Sequence, residues 1–383
     1  MKQDLLESAL KVLETLNEKG FEAYIVGGFV RDKILGRESK DIDITTNAVP
    51  DVVQAIFKKN YNKSAKFKTI TVIVDGYEFE ITTFRKDLKY KDHRHPISKV
   101  TSSLKTDIKR RDFTVNAMCM DKDLKIYDYV NGENDVKLHL LRAVGKPKRR
   151  FNEDALRMFR AFRFASVLGF KIEPKTYMGI RKNVKLVPLI SKERIRAELE
   201  ETITGSSFKD VLPSIIESDI FSSLKDIDRS LLYLNENYKT FYFMDLMCLA
   251  SYIKGSVTED LILSKKEIKF IKETLYFAGL IKKREIKPEL LLDRDYDALK
   301  EGIKILSLMR ETPYKIEDID VMYNDMVIKS SKDLKIKGDE IIANLDITDQ
   351  TLIKEYLRKL AVAVVLKKVP NDNEKLIEYV KGL

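Results

Sequence analysis

The patterning of this 383-residue chain changes character once, near Asn152, and that change constrains its fold more than any other feature. Before it, short strand-like runs alternate with short helical segments. After it, helical periodicity continues almost unbroken, punctuated by Gly169, Pro174, Pro188, Gly205, Pro213 and Gly255. An order of elements like this predicts an α+β unit, a mixed sheet with helices, followed by an all-helical remainder. The length also exceeds what one hydrophobic core usually supports, so more than one structural unit is expected.

Within 3–18, Leu5, Leu6, Ala9, Leu10, Val12, Leu13 and Leu16 fall at helical spacing, and Gly20 closes the segment. A strand over Ala23–Val26 ends at Gly27-Gly28, a short helix takes Phe29–Leu35, Asp41–Thr46 alternates as a strand, and Pro50 opens another helix. Thr69–Val74 and Tyr77–Phe84 read as strands joined by Asp75-Gly76, a type I′ hairpin signal. Arg85–Ser103, rich in Lys, His, Asp and Ser around Pro96, reads as a long mobile loop. Strands follow at Ala117–Met120 and Lys125–Val130.

Composition narrows the function. No apolar run is long enough to cross a bilayer, and the opening helix contains acids, unlike a signal peptide, so a cytoplasmic protein with no membrane partner is expected. Cys119 and Cys248 lack any metal-ligand spacing and read as buried, reduced thiols. A net charge of +10 favours a polyanionic partner, although charge alone decides little without a motif.

That motif begins at Gly27-Gly28-Phe29-Val30-Arg31-Asp32. Two glycines between a strand and a helix let backbone N–H groups approach a phosphate, and Arg31 adds a fork of donors. In a strand, Asp41 and Asp43 would share one face while Ile42 points to the core, and Glu80 on a neighbouring strand would add a third carboxylate, a set suited to Mg²⁺. Singly, a Gly-Gly turn is a plain loop and Asp-x-Asp a solvated strand edge. Their joint spacing reverses those odds.

Gly-Gly-x-Val-Arg-Asp-x-x-Leu-Gly followed by Asp-x-Asp resembles the signature of the class II tRNA nucleotidyltransferase and bacterial poly(A) polymerase superfamily. Further stretches match in order: Glu80 to Arg85, Tyr90 to Pro96, Arg110 to Met118, Asp128 and Gly132, Glu153 to Arg157, and Ser191 to Ile195. One departure is Lys68-Thr69, where the family often has Gly-Thr. The resemblance implies a small polymerase-type palm as catalytic head (1–137), then an all-α neck (138–205), body (206–320) and tail (321–383), the tail binding tRNA. It also implies that Arg111 and Asp112 hold triphosphate and ribose, with Arg110 a weaker candidate and Asn116 fixing that loop.

Placed on one helix, residues 153–164 put Ala155, Met158, Phe159 and Phe162 on an apolar arc and Glu153, Arg157, Arg160 and Arg163 on a polar one, with Asp154 at its edge. By itself this is a surface helix with Asp154 paired to Arg157. Beside the head motifs it suggests a template made of protein. Asp154 accepts from the exocyclic amine of cytosine or adenine, and Arg157 donates to the ring nitrogen. Uracil and guanine invert that edge, and the unpaired groups cost roughly 1–3 kcal/mol each. The family assigns base reading to this pair, with Glu153 orienting Arg157 and with Arg160 and Arg163 contacting nucleotide or phosphate.

The implied reaction is template-independent addition of C, C and A to a tRNA 3′ end from CTP and ATP by two-metal nucleotidyl transfer. His93 and His95 fall in the proposed loop, which family members restricted to adding the two cytidines lack, and His139 reads as structural. Lysine clusters such as Lys265-Lys266, Lys282-Lys283-Arg284 and Lys367-Lys368 offer charge to an acceptor arm, though each alone is a solvated face. The rivals are a bacterial poly(A) polymerase, an enzyme adding only the final A, and an RNA-binding protein with an inactive head. Modest length without a long basic C-terminal extension favours tRNA maturation. Nothing in the sequence fixes an oligomeric state.

Overall fold

The computed structural model describes residues 2–39, 41–64, 69–90, 96–234, 240–345 and 349–382, and the chain divides into two units, Met1–Ser223 and Leu224–Leu383. The expected hairpin forms at Asp75-Gly76. Both residues have positive φ, 52° and 86°, as a type I′ turn requires, and Val74 pairs with Tyr77 across it.

The first unit begins with helix α1 (Lys2–Glu18), strand β1 (Ala23–Val26), helix α2 (Gly28–Ile34), β2 (Asp43–Thr46), α3 (Pro50–Ile56), β3 (Asn60–Ser64), β4 (Thr69–Val74) and β5 (Tyr77–Thr83). These strands join β8 (Met118–Met120) and β9 (Ile126–Asp128) in one seven-stranded sheet of order β3-β4-β5-β2-β1-β8-β9. The sheet is mixed: β2 runs antiparallel to β1 and parallel to β5. Helix α1 packs across β1, β4 and β5, burying Val12, Leu13 and Leu16 completely. On the central strand β2, Ile44, Thr45 and Thr46 are buried and only Asp43, at its start, is exposed. Asp41 and Ile42 precede the strand rather than lie within it, yet the alternation persists, with Ile42 buried between two exposed aspartates.

The expected loop at Arg85–Ser103 is corrected. Strands β6 (Arg85–Tyr90) and β7 (Pro96–Val100) pair antiparallel as a separate two-stranded sheet. Polar residues at alternate positions suit a ribbon with one wet face, and Pro96 sits at a strand start, where its missing N–H is tolerated. Lys91, Asp92, His93, Arg94 and His95 lie outside the described residues, as does Lys68 of the Lys68-Thr69 departure.

After β7 come α4 (Leu104–Ile108), a 3₁₀ turn at Thr114–Asn116, β8, β9 and α5 (Gly132–Lys137). Gly132 is there because the 3₁₀ turn passes against it: a Cβ would lie 2.3 Å from the Thr114 carbonyl oxygen and 2.9 Å from Met118 Cγ. Gly132→Ala will therefore overpack this contact and destabilise the first unit by about 1–3 kcal/mol. Thermal or urea unfolding of the variant measures this, and an unchanged midpoint would contradict it.

Strand β10 (Leu140–Leu141) pairs in parallel with β11 (Lys171–Ile172), and the remainder of the unit is helical: α6 (Pro147–Glu153), α7 (Arg157–Leu168), α8 (Pro174–Arg181), α9 (Lys192–Thr204) and α10 (Phe208–Glu217). The single helix expected over 153–164 is thus two. Asp154 is extended (φ −142°, ψ 108°), and its Oδ1 accepts the Leu156 amide at 3.2 Å, a local side-chain turn in the link between α6 and α7. The apolar arc survives the break, since Ala155, Met158, Phe159 and Phe162 are all buried. Pro213, read as punctuation, lies inside α10.

The second unit consists, among its described residues, of helices alone: α11 (Lys225–Leu231), α12 (Phe243–Lys254), α13 (Lys265–Lys283), α14 (Pro288–Leu291), α15 (Tyr296–Leu308), α16 (Ile316–Asp325), α17 (Gly338–Leu345), α18 (Gln350–Val365) and α19 (Asn373–Val380), with a 3₁₀ turn at Ser331–Asp333. Its core centres on α12, α13 and α15, where Leu246, Leu249, Ile271, Phe277 and Leu306 are fully buried. Cys119 and Cys248 are buried free thiols, one in each unit. No described helix is long and apolar enough to cross a membrane.

Candidate active site

The site is built at the junction of β1, β2 and α2. Gly27 has φ 83° and ψ −134°, a conformation that side chains avoid, and a Cβ there would lie 3.9 Å from Asp43 Oδ2 and 3.8 Å from Arg111 Nη1. The turn thus brings its backbone directly against one carboxylate and one guanidinium. Its own amide bonds the Met118 carbonyl (3.3 Å), which leaves the following amides at the start of α2 as the ones open to a ligand. Arg31 is buried on α2 and held in a fixed pose. Its Nη1 donates to Asn116 Oδ1 (2.5 Å) and its Nε to Asp32 Oδ1 (2.9 Å). Asn116, expected to fix its own loop, anchors Arg31.

Asp43 and Glu80 are register partners on parallel strands and so project from the same face of the sheet. Protein crowding raises the Asp43 carboxyl above the usual carboxylate range. Arg111 opposes the shift, and the charges of Glu80 and Asp41 reinforce it. The Asp43 carboxylate thus sits among like charges from Glu80 and Asp41, with Arg111 as the opposing cation.

Arg111 is positioned by Asp107, a fully buried carboxylate on α4 that was not singled out from the sequence. Asp107 accepts from the Arg85 amide (3.1 Å), from Arg110 Nε (2.8 Å) and from Arg111 Nη2 (3.4 Å). Burial works against its ionisation, and Arg110 and Arg111 outweigh burial, so its pKa lies below the usual value. The signal was present as Asp107-x-x-Arg110-Arg111, helical i,i+3 and i,i+4 spacing.

Asp112 meets Arg160 of α7, whose Nε and Nη2 lie 2.8 and 2.7 Å from its Oδ2. Burial again opposes the charge, and Arg160, Arg157 and the Phe113 amide bring the pKa of Asp112 down to about 2. The linkage has a definite sign. A carboxyl depressed from 3.8 to about 2 contributes stability that is complete above 3.8 and is lost as pH falls toward 2. The stability difference between the parent and Asp112→Asn will therefore be flat at neutral pH and shrink between these limits. Urea unfolding at a series of pH values measures it, and a difference independent of pH down to 2 would rule the linkage out.

The residues expected to form one helical face are arranged differently from that expectation. Asp154 pairs with Arg194 of α9 (3.4 Å) and makes no ion pair with Arg157 among the described residues. Arg157 Nη1 reaches Glu153 Oε2 (3.3 Å) and the Arg150 carbonyl (3.1 Å), while its Nη2 reaches the Arg110 carbonyl (3.3 Å) and the Tyr90 hydroxyl (3.4 Å). The Tyr90 phenol, raised to about 12 chiefly by burial, stays protonated and donates to Asp87 Oδ2 (2.7 Å). Strand β6 thereby touches the arginine of α7, a contact that a loop assignment for 85–103 hides. Arg163 binds Glu198 and Glu201, at 2.6 and 2.7 Å, and Arg160 lies 3.8 Å from Glu198. The Phe164 ring collects the guanidinium groups of Arg163 (4.3 Å), Arg160 (5.1 Å) and Arg31 (5.6 Å), which ties α2 to α7. His139 packs on Phe170, with ring centroids 5.2 Å apart, in a structural contact.

Residues 23–142 match the family model of the poly A polymerase head domain, and residues 243–380 match that of tRNA nucleotidyltransferase domain 2. Between them, residues 169–231 match a model described as "Probable RNA and SrmB- binding site of polymerase A". The CCA-adding enzyme of Staphylococcus haemolyticus is 33% identical over 399 residues, covering 100% of this chain and 99% of its own. The chain belongs to the CCA-adding enzyme family. The CCA-adding enzyme of Bacillus pumilus is 34% identical, covering 97% of this chain and 96% of its own. Among solved structures, the Bacillus stearothermophilus CCA-adding enzyme in complex with CTP superposes with a TM-score of 0.79 at 29% identity, covering 98% of this chain and 97% of that one. The Thermotoga maritima CCA-adding enzyme complexed with tRNA shares the fold, with a TM-score of 0.68 at 20% identity and 100% and 98% coverage. As a member of that family the chain is a nucleotidyltransferase of α+β architecture, with a polymerase head followed by helices.

Proposed function

We propose that this protein adds C, C and A to the 3′ end of tRNA from CTP and ATP, in the cytoplasm and without a nucleic-acid template, releasing pyrophosphate. The observation that supports it most is the convergence of Asp43, Arg111 and the Gly27 turn in a chain whose full-length relatives are CCA-adding enzymes. The family is metal-dependent, and the donor set here fits a hard divalent ion. Asp41 and Asp43 offer carboxylate oxygens, with Glu80 on the adjoining strand. Among the described residues no group of three or more His, Cys, Asp or Glu side chains is placed to hold a metal ion. The paired carboxylates of Asp41 and Asp43 are of the kind Mg²⁺ takes, one or two carboxylates with the shell completed by water and substrate phosphates. When bound, such ions activate the RNA 3′-hydroxyl and stabilise the departing pyrophosphate.

The protein's own contribution is positioning. The amides at the start of α2 and the guanidinium groups of Arg31 and Arg111 receive the triphosphate, and Asp112, with Arg160 behind it, faces the ribose. Arg157, with Glu153 against it, and Asp154, with Arg194 against it, read the base. Bases with an exocyclic amine beside a ring acceptor satisfy both, whereas uracil and guanine leave each unpaired. Full-length likeness to CCA-adding enzymes weighs against a poly(A) polymerase or an A-only enzyme, and intact Asp41, Asp43 and Arg157 weigh against an inactive head. The test is the product formed on tRNA ending at its discriminator base: three nucleotides of sequence CCA, and no more.

A further inference from the structure

Arg150, on α6, uses every nitrogen of its guanidinium. Its Nε donates to the Val144 carbonyl (3.1 Å), its Nη1 to the Arg110 carbonyl (2.9 Å) and to Glu153 Oε2 (2.9 Å), and its Nη2 to the Lys109 carbonyl (2.8 Å). Lys109 and Arg110 follow the end of α4, where carbonyls lack partners within the helix, and they run directly into Arg111 and Asp112. One side chain of α6 thus grips the backbone that leads to the proposed triphosphate and ribose groups. The helix is a firm base for that grip. Phe151 is fully buried, and a Cβ on Gly179 of α8 would lie 2.6 Å from Pro147 Cβ and 3.2 Å from Phe151 Cε2, so the two helices pack in close contact.

Arg157 depends on the same acceptors. Glu153 Oε2 and the Arg110 carbonyl each receive both guanidinium groups, and the Arg150 carbonyl itself receives Arg157 Nη1. Apart from the Tyr90 hydroxyl, the atoms that Arg157 bonds are therefore ones that Arg150 holds or owns. Burial lowers the Arg150 pKa, with Glu153 opposing and the charge of Arg157 adding to the shift, yet an arginine stays protonated and both cations persist. Only a planar fork satisfies acceptors spread around it in this way; the ammonium of a lysine is a single point charge. The neighbouring Arg149 makes the contrast. It bonds the other oxygen of Glu153 (2.9 Å) with its side chain 76% exposed, against 11% for Arg150, and exposed pairs contribute little.

We propose that Arg150 is a positioning residue for nucleotide choice, fixing the Arg157 guanidinium against the segment that carries Arg111 and Asp112, so that the base-reading edge stands in register with the triphosphate. The inference rests on the base-reading role proposed above for Arg157. Arg150 itself touches no nucleotide in this scheme. It acts through Glu153, the Arg110 carbonyl and its own carbonyl.

The test measures nucleotide addition by the full-length protein to tRNA transcripts ending at the discriminator base and at the second cytidine, with each nucleoside triphosphate singly. The parent is compared with Arg150→Lys, Arg150→Gln, Arg149→Gln, Arg157→Ala and the double variant Arg150→Lys/Arg157→Ala. Preference is a ratio taken on one preparation, so molecules that fail to fold cancel from it, and a thermal melt records lost stability separately. Arg150→Lys and Arg150→Gln should each lower the preference for CTP over UTP and for ATP over GTP by about tenfold, inside the roughly hundredfold that ångström-scale misplacement costs. Arg149→Gln should change it by less than about twofold. In the Arg157→Ala background Arg150→Lys should change preference no further, because a group acting through Arg157 has nothing left to position. Parental preference in both Arg150 variants would overturn the proposal, whatever happens to their melting temperatures. So would an equal loss in Arg149→Gln, or a second loss of the same size in the double variant. A parent that adds no CCA defeats the proposed function, and Arg157→Ala with parental preference defeats its base-reading part. Altered preference in Arg157→Ala beside unaltered Arg150 variants defeats this inference alone.

Discussion

Asp43→Ala will abolish addition of both cytidine and adenosine, by at least on the order of a hundred- to a thousandfold, the scale of losing a preorganised electrostatic stabiliser of a transition state. Asp41→Ala should act in the same direction. Binding of tRNA should persist in both, because the carboxylates, Asp43 at the start of β2 and Asp41 just before it, repel rather than attract an RNA backbone. The thermal behaviour makes the prediction sharper. A carboxyl whose pKa is raised in the folded state subtracts stability at any pH where it is ionised, and Asp43 is such a group, crowded by protein and beside Glu80 and Asp41. Asp43→Asn should therefore melt no lower than the parent in metal-free buffer while showing no turnover. Near-parental turnover would remove Asp43 from the chemistry, and a large loss of stability would make its role architectural.

The second large effect is on fidelity. Measured with each nucleoside triphosphate singly, Arg157→Ala and Asp154→Ala will each lower the preference for CTP and ATP over UTP and GTP by at least about tenfold, the scale of one hydrogen bond to a charged group. The structure supplies a competing explanation that the experiment must separate. Arg157 bonds Glu153, two backbone carbonyls and Tyr90, and Asp154 accepts the Leu156 amide in the link between α6 and α7 and meets Arg194, so both could serve only to hold α6, α7, α9 and β6 together. That alternative lowers the melting temperature and leaves nucleotide preference as it was. Base reading changes the preference among the molecules that remain folded. Unaltered discrimination in both variants at normal activity would place base reading elsewhere.

What the sequence revealed of this fold follows from how local each signal is. Asp75-Gly76 specifies its turn through two backbone angles, and the alternation around Ile42 needs only one strand, so both are readable from neighbours in the chain. The break between α6 and α7 was missed because it falls at Asp154, which, for all its extended backbone and its bond to the Leu156 amide, looks in sequence like any polar residue on a helix face. The β6/β7 ribbon was read as loop because its strands are polar and Lys-rich and draw their order from pairing with each other, not from a buried stripe. Of the candidate site, Asp43, Gly27, Arg31 and Arg111 were singled out from their motifs, and the structure places Gly27 beside Asp43 and Arg111. Their supports were harder to see: Tyr90, Arg194 and Glu198 act through partners far away in the chain, whereas Asp107 sits at helical spacing from Arg110 and Arg111 and was legible in principle. Composition gave no sign that Asp112 would be held ionised by an arginine 48 residues later.

The most direct test of the central claim is to sequence the 3′ ends made by the purified protein on a tRNA transcript ending at its discriminator base, with CTP, ATP and Mg²⁺ supplied together. The account predicts CCA on nearly every extended molecule and no fourth nucleotide, because a protein-borne template selects only C and A. A long adenosine tail, a single adenosine, or incorporation of U and G at rates comparable to C and A would contradict it.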